Sequence, residues 1–203
     1  MHNLVLIGMR GSGKTNLGRQ IAKTIKRPFI DIDKEIERQE GRKIRQIIDK
    51  KGWFYFRKIE KYIVRKIANK KGVVIATGGG TIIDPENQKK LEKHGIFILL
   101  EATPETLAKR LENGQEMANR PSLTEQENLL AELNEIWQKR QQAYTDVASF
   151  RFEFNNDSTD PKKDIKVRSK QIIETIALDY PEFEKPELTG KRAKKSKMQD
   201  TQE

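Results

Sequence analysis

Leu4-Val5-Leu6-Ile7-Gly8-Met9-Arg10-Gly11-Ser12-Gly13-Lys14-Thr15 is the stretch that decides the fold. Four consecutive apolar residues read as a short strand buried on both faces, as in a parallel sheet. Gly8 to Thr15 fits the pattern G-x-x-x-x-G-K-[ST], and Lys14 to Lys26 continues as a helix with Leu17, Ile21, Ala22 and Ile25 on one face. The glycines let main-chain N–H groups converge on phosphate oxygens, and the helix start adds its positive end. In such a loop Lys14 reaches the β- and γ-phosphates of a nucleotide, and the Thr15 hydroxyl binds Mg²⁺. Gly11, Ser12, Gly13, Lys14, Thr15 and the adjoining Asn16 are therefore candidate ATP contacts. The bare pattern arises in roughly one chain of this length in a hundred. The strand before it and the helix after it make the match specific.

Working outward, strands and helices alternate. Pro28 breaks the first helix, and Phe29 to Ile32 reads as a second strand. Asp33 is expected to cap the helix Lys34 to Gln39, which stops at Gly41. Ile44, Ile47 and Ile48 mark a short helix closed by Gly52, and Phe56 to Lys71 a longer one. Val73 to Ala76 is a third buried strand, ending in Thr77-Gly78-Gly79-Gly80. Asp84-Pro85 opens a helix to about His94, with proline at its favoured first position. Ile96 to Leu100 is a fourth strand, and Thr103-Pro104-Glu105 opens the next helix. The segment 113–123 reads as a loop, Thr124 to Tyr144 as a long helix, Val147 to Phe154 as a fifth strand and Pro161 to Tyr180 as a last helix. This alternation predicts an α/β fold: a three-layer α/β/α sandwich around a five-stranded parallel sheet. Ligands on such sheets sit beyond the carboxyl ends of the strands, where every motif here falls. One domain over 1–180 is expected, with 181–203 as a disordered basic tail.

Composition narrows the function classes. The 203 residues include no cysteine, which excludes disulfides, zinc–thiolate sites and a cysteine nucleophile. No apolar run approaches the roughly 20 residues that span a bilayer, and a cytoplasmic, monomeric protein is the expectation. The formal net charge is +10. Much of it lies between Glu40 and Lys71, where twelve bases meet three acids; from Pro181 onward six bases meet five acids. The excess belongs to the fold, where it gives a solvated helix surface and a field that attracts anionic substrates. Nucleic acid is not the expected partner, because aromatic and basic residues interleave only at 53–57.

P-loop sites take a second metal contact from an aspartate at another strand end. The third strand ends in Thr77, so the candidates are Asp31 and Asp33 after strand two. At this point the chain resembles the shikimate kinases, a group of nucleoside-monophosphate-kinase-like P-loop enzymes. The motifs that carry the resemblance come in order: Gly11-Ser12-Gly13-Lys14-Thr15, Asp31-Ile32-Asp33, Gly52 with Phe56-Arg57 and Glu60, Thr77-Gly78-Gly79-Gly80, Arg120-Pro121, and Arg140 with Tyr144. They extend over about residues 3–178.

The resemblance implies ATP- and Mg²⁺-dependent phosphorylation of the shikimate 3-hydroxyl, with ATP and shikimate as the small-molecule partners. It implies that Asp31 supports Mg²⁺ through water, and that Asp33 accepts hydrogen bonds from the shikimate hydroxyls and serves as base. Arg57 and Arg140 would clamp the carboxylate, and Gly78, Gly79 and Gly80 would line the ring, Gly79 through its backbone. Arg120, in a lid over about 113–123, would reach the ATP phosphates alongside Lys14, and Arg110 would lie near the adenine. The acceptor segment would span about 33–61. This chemistry is coherent. A guanidinium offers a carboxylate a planar fork, and charge-assisted hydrogen bonds contribute about 1.5–3 kcal/mol each. A carboxylate of ordinary acidity is a weak base at neutral pH, which suffices because phosphoryl transfer depends on positioning and charge stabilisation.

Three positions depart from the family pattern. Trp53 follows Gly52 where glutamate is usual, Ala143 precedes Tyr144 where leucine is usual, and Asn16 replaces a small hydroxyl residue. They touch the acceptor pocket and the loop edge. A kinase of another acceptor, such as gluconate or a nucleotide, and a nucleotide-binding module that docks RNA or protein are the competing readings.

Overall fold

The computed structural model describes residues 1–113 and 128–184. Asn3–Ile7 forms β1 and is buried along its whole length. Its alternation splits the core: Leu4 and Leu6 join one apolar cluster, Val5 and Ile7 the other. The remaining strands are β2 (Phe29–Asp31), β3 (Val74–Ala76), β4 (Gly95–Glu101) and β5 (Phe150–Glu153). All pair in parallel in the order β2-β3-β1-β4-β5. The helices are α1 (Lys14–Thr24), α2 (Ile32–Glu40), α3 (Ile44–Ala68), α4 (Pro85–Glu92), α5 (Pro104–Glu112), α6 (Leu129–Val147) and α7 (Pro161–Asp179). Leu17 and Ile21 of α1 and Ile172, Ile173 and Ile176 of α7 cover one face. Residues of α2, α3, α5 and α6 cover the other. The expected three-layer α/β/α sandwich with five parallel strands is the observed fold.

Local chemistry sets the helix starts. Thr103, Asn128 and Asp160 each accept a main-chain N–H at the start of α5, α6 and α7, and Asp84 does so for α4. Proline occupies the first position of α4, α5 and α7, where no N–H is needed.

Several boundaries differ from the sequence reading. Strand two ends at Asp31, and Asp31 is the cap of α2: its Oδ1 accepts the Lys34 N–H at 3.1 Å. Asp33 therefore lies inside the first helical turn, and strand alternation does not relate the two carboxylates. The two helices expected on either side of Gly52 do meet there: α3 is broken by a kink with non-helical backbone at Gly52, φ 76 and ψ 169. Only glycine populates that region readily, so the bend is fixed by the missing side chain. α6 extends to Val147, and β5 is correspondingly shorter than the segment 147–154.

The ordered fold also passes the expected limit at residue 180. Pro181–Phe183 forms a 3₁₀ turn in which Phe183 is fully buried. Arg27 covers that ring at 4.1 Å and donates to the Glu182 carbonyl at 2.8 Å. One aromatic side chain in a polar tail carries no periodic signal; its burial, together with the Arg27 contacts, offsets part of the cost of ordering the turn. The remaining tail, with the Lys191 to Lys197 cluster, lies outside the described residues.

Candidate active site

Two cavities open at the carboxyl ends of the strands. The larger is lined by the P-loop from Arg10 to Leu17, by Asp31, Asp33 and Thr77, and by Arg110, Asp157 and Arg168. The smaller is lined by Met9, Arg10, Asp33, Ile44, Trp53, Phe56, Arg57, Glu60, Gly78 to Gly80, Ile136 and Arg140. Arg10 and Asp33 border both. The cavities thus meet at one carboxylate and one guanidinium.

The P-loop wraps the buried ammonium of Lys14. Its Nζ donates to the Gly8 carbonyl at 2.9 Å and the Met9 carbonyl at 2.7 Å. Gly8, Gly11 and Gly13 all have positive φ, which turns the loop back over this charge. At Gly8 a side chain is excluded twice over, since a Cβ would stand 2.3 Å from the Leu100 carbonyl oxygen. At the loop's exit Thr15 Oγ1 donates to Asp31 Oδ2 at 2.7 Å. A hydroxyl beside a carboxylate is a hard-oxygen pair that suits Mg²⁺, which takes few protein ligands and fills its shell with phosphates and water. Among the described residues no cluster of three or more ligating His, Cys, Asp or Glu side chains occurs.

On the far wall of this cavity stands Arg110, as the resemblance implied, with Asp157 and Arg168, which the sequence did not single out. Arg110 donates from Nε to Asp157 Oδ2 at 2.7 Å and reaches the Gly11 carbonyl with Nη1 at 3.5 Å. Asp157 also accepts from Arg168 at 2.9 Å. Hydrogen bonding to Arg110, followed by that to Arg168, holds the Asp157 carboxyl below its usual range against the opposing effect of burial. Asn155 Oδ1 accepts the Thr103 N–H at 2.8 Å and ties the turn after β5 to α5. Asn16 lines the cavity and is exposed.

The smaller cavity gathers both predicted carboxylate clamps. Arg57 projects from α3 and donates from Nη1 to Glu60 Oε2 at 2.7 Å. Glu60 is 1% exposed and also accepts the Thr81 hydroxyl at 2.8 Å. Burial pushes the Glu60 carboxyl up; Arg57 and Thr81 pull it down, and the charge of Asp33 adds to the rise. Arg140 projects from α6 and donates to the Gly79 carbonyl at 3.0 Å. The fully buried Tyr144 hydroxyl donates to the same oxygen. The Gly79 carbonyl therefore orients Arg140. Gly78 and Gly80 are small because the side chains opposite are close. A Cβ on Gly78 would stand 2.7 Å from Asp33 Oδ1, and one on Gly80 would stand 2.6 Å from Arg57 Nη2.

Asp33, Arg57, Gly78, Gly79, Gly80 and Arg140 thus border one cavity. Gly11 to Asn16, Asp31 and Arg110 border the next, and Asp33 stands in both. Arg120 and 114–123 of the expected lid lie outside the described residues. Sequence reasoning gave no role to Glu60, Tyr144, Arg10, Glu132, Asp157 or Arg168. Trp53 adds an aromatic wall, edge-on to Phe56, with the Arg57 guanidinium 5.6 Å from its ring centroid.

Residues 10–177 match the shikimate kinase family. The chain belongs to the shikimate kinase family. The shikimate kinase of Pelotomaculum thermopropionicum is 44% identical over 138 residues, 66% of this chain and 78% of that protein. The bifunctional shikimate kinase/3-dehydroquinate synthase of Thermotoga maritima is 38% identical over 188 residues, 91% of this chain; the chain spans 35% of that longer relative. The shikimate kinase from Acinetobacter baumannii, solved in complex with shikimate, superposes with a TM-score of 0.78 at 32% identity, over 89% of this chain and 95% of that one. The family match covers every described side chain of the two cavities except Met9.

Proposed function

We propose that this chain transfers the γ-phosphoryl group of ATP to the 3-hydroxyl of shikimate with Mg²⁺, a step toward aromatic amino acids. The observation that carries the reading is the shared border. A P-loop cavity suited to a triphosphate and a smaller cavity bearing two guanidinium groups meet at Asp33. The complex of the Acinetobacter baumannii relative with shikimate supports the choice of acceptor.

The nucleotide phosphates take the P-loop amides, and Lys14 exchanges its loop carbonyls for phosphate oxygens. Thr15 Oγ1 and, through water, Asp31 would hold Mg²⁺, which neutralises charge on the phosphates when bound. Arg110 flanks the base end of the cavity. Arg57 and Arg140 fork the acceptor carboxylate, and Gly78 to Gly80 let the ring approach the main chain. With the acid anchored there, Asp33 accepts the reacting hydroxyl's proton and aims its oxygen in line with the γ-phosphorus. Arg120, on the lid assigned to 113–123, completes the charge around the transferring group. The reading includes a monomer working in the cytoplasm; the lack of cysteine suits a reducing compartment.

An ADP-release assay with Mg·ATP and a panel of acceptors tests this. Shikimate should drive turnover, and gluconate and nucleoside monophosphates should not. Release unaffected by shikimate, or faster with another acceptor, would reject the reading.

A further inference from the structure

Arg10 occupies a variable position of the P-loop pattern, yet it is one of two residues that border both cavities. Its Nη2 stands 2.8 Å from Glu132 Oε1, and the two side chains are 9% and 8% exposed. An ion pair this well shielded from water is screened far less than a surface pair. Nη2 and Nε make no hydrogen bond among the described residues, so the contact is ionic rather than a directed fork.

What Glu132 belongs to gives the pair its meaning. Glu132, Ile136, Arg140 and Tyr144 are spaced four apart on α6 and form one ridge of the helix. Ile136 and Arg140 line the smaller cavity. Tyr144 and Arg140 meet the Gly79 carbonyl. Gly79 in turn lies against the P-loop: a Cβ there would be 3.5 Å from the Arg10 main-chain nitrogen and 3.8 Å from Arg140 Nη1. The ridge is thus held toward the P-loop side at two places, by Tyr144 through Gly79 and by Glu132 through Arg10. Arg140 lies between them.

We propose that the Arg10–Glu132 pair is a positioning element for the acceptor site, fixing α6 against the nucleotide loop so that Arg140 meets the acceptor carboxylate at the correct distance from the transferring phosphoryl group. The inference rests on the functional reading above. Arg10 acts here through Glu132 and α6, and Glu132 lines neither cavity.

The test is steady-state kinetics of Glu132→Gln, Glu132→Asp, Arg140→Lys and the Glu132→Gln/Arg140→Lys double variant, with shikimate and ATP varied in turn and folding checked by thermal melts. Glu132→Gln keeps the side-chain shape and removes the charge. It should raise the shikimate KM about tenfold and leave the ATP KM within about twofold, the size of effect expected of a small misplacement of one clamp. Glu132→Asp keeps the charge and guards against a variant that fails to fold; its shikimate KM should stay within about threefold of wild type. In the Arg140→Lys background, Glu132→Gln should add less than about twofold, since residues that act as one unit are not additive. Parallel rises in both KM values, full multiplicative effects in the double variant, or an aspartate variant as impaired as the glutamine one would overturn the proposal. Wild-type turnover of shikimate tests the functional reading itself, so the two failures are distinguishable.

Discussion

Gly80→Ala should damage acceptor use while leaving nucleotide use and the fold intact. Gly80 has φ −113 and ψ 0, a conformation open to alanine, so the backbone is not strained. The new Cβ would lie 2.6 Å from Arg57 Nη2, 3.0 Å from Nη1 and 3.1 Å from Cζ. Ordinary contact begins at 3.4 Å, so the guanidinium must retreat by about 0.8 Å. It can do so because it ends a flexible side chain, but in retreating it strains the 2.7 Å bond to Glu60. Two stability effects then oppose each other. Alanine lowers the entropy of the unfolded chain, worth about 0.4–1 kcal/mol, and a weakened charge-assisted bond loses part of about 1.5–3 kcal/mol. The net change stays within about 2 kcal/mol, small beside a typical stability of about 5–15 kcal/mol. Function is less tolerant: a misplacement approaching 1 Å costs up to about a hundredfold in rate. ADP release with shikimate varied at saturating ATP, then the reverse, should show a ten- to roughly hundredfold loss in kcat/KM for shikimate and little change for ATP. A folded Gly80→Ala enzyme with wild-type shikimate kinetics, or with equal losses for both substrates, would refute the placement of Arg57 at the acceptor. Arg57→Ala is a less clean test, because it strands the buried Glu60 carboxylate and so mixes stability with binding.

Further expectations follow from the same geometry. Asp33→Asn should cut kcat by about a hundredfold or more with nearly unchanged ADP affinity by calorimetry, and loss of ADP binding would move its role to the nucleotide cavity. The Asp157 carboxyl titrates below its usual value in the fold, so its contribution to stability is present above pH 3.8 and disappears as acid titrates the folded protein. Melting temperatures of wild type and Asp157→Asn should differ at neutral pH and converge below pH 3.8; a constant gap would contradict the ion-pair account. Phe183→Ala should cost about 3–5 kcal/mol in urea unfolding. Removal of 185–203 should leave kcat within about twofold; a large loss would give that segment a part in the kinase reaction.

The legible part of the fold was the part written in contiguous residues. The run Leu4 to Thr15 holds strand, turn and helix start together, and its meaning depends on nothing distant. The proline-led starts of α4, α5 and α7 were legible for the same reason. Asp31 and Asp33 were confused because either aspartate can cap a helix. Only the end of β2 decides which one does, and that end is set by pairing with β3, forty-odd residues further along the chain. Phe183 was lost in the tail because its partner, Arg27, lies at the opposite end of the sequence. In the site, the resemblance supplied Arg57, the glycines and Arg140. The ion pairs that hold such groups in place were not legible: Asp157 with Arg110 and Arg10 with Glu132 join residues 47 and 122 positions apart. Charged residues of that kind look like solvated surface until the fold brings them together.

A crystal structure of the protein with ADP, Mg²⁺ and shikimate is the most direct measurement. The diphosphate should lie within the P-loop, the acceptor carboxylate within hydrogen-bonding distance of both Arg57 and Arg140, and a ring hydroxyl at Asp33 facing the vacant γ-phosphoryl position. Shikimate bound elsewhere, or bound with its carboxylate turned away from both arginines, would contradict this arrangement.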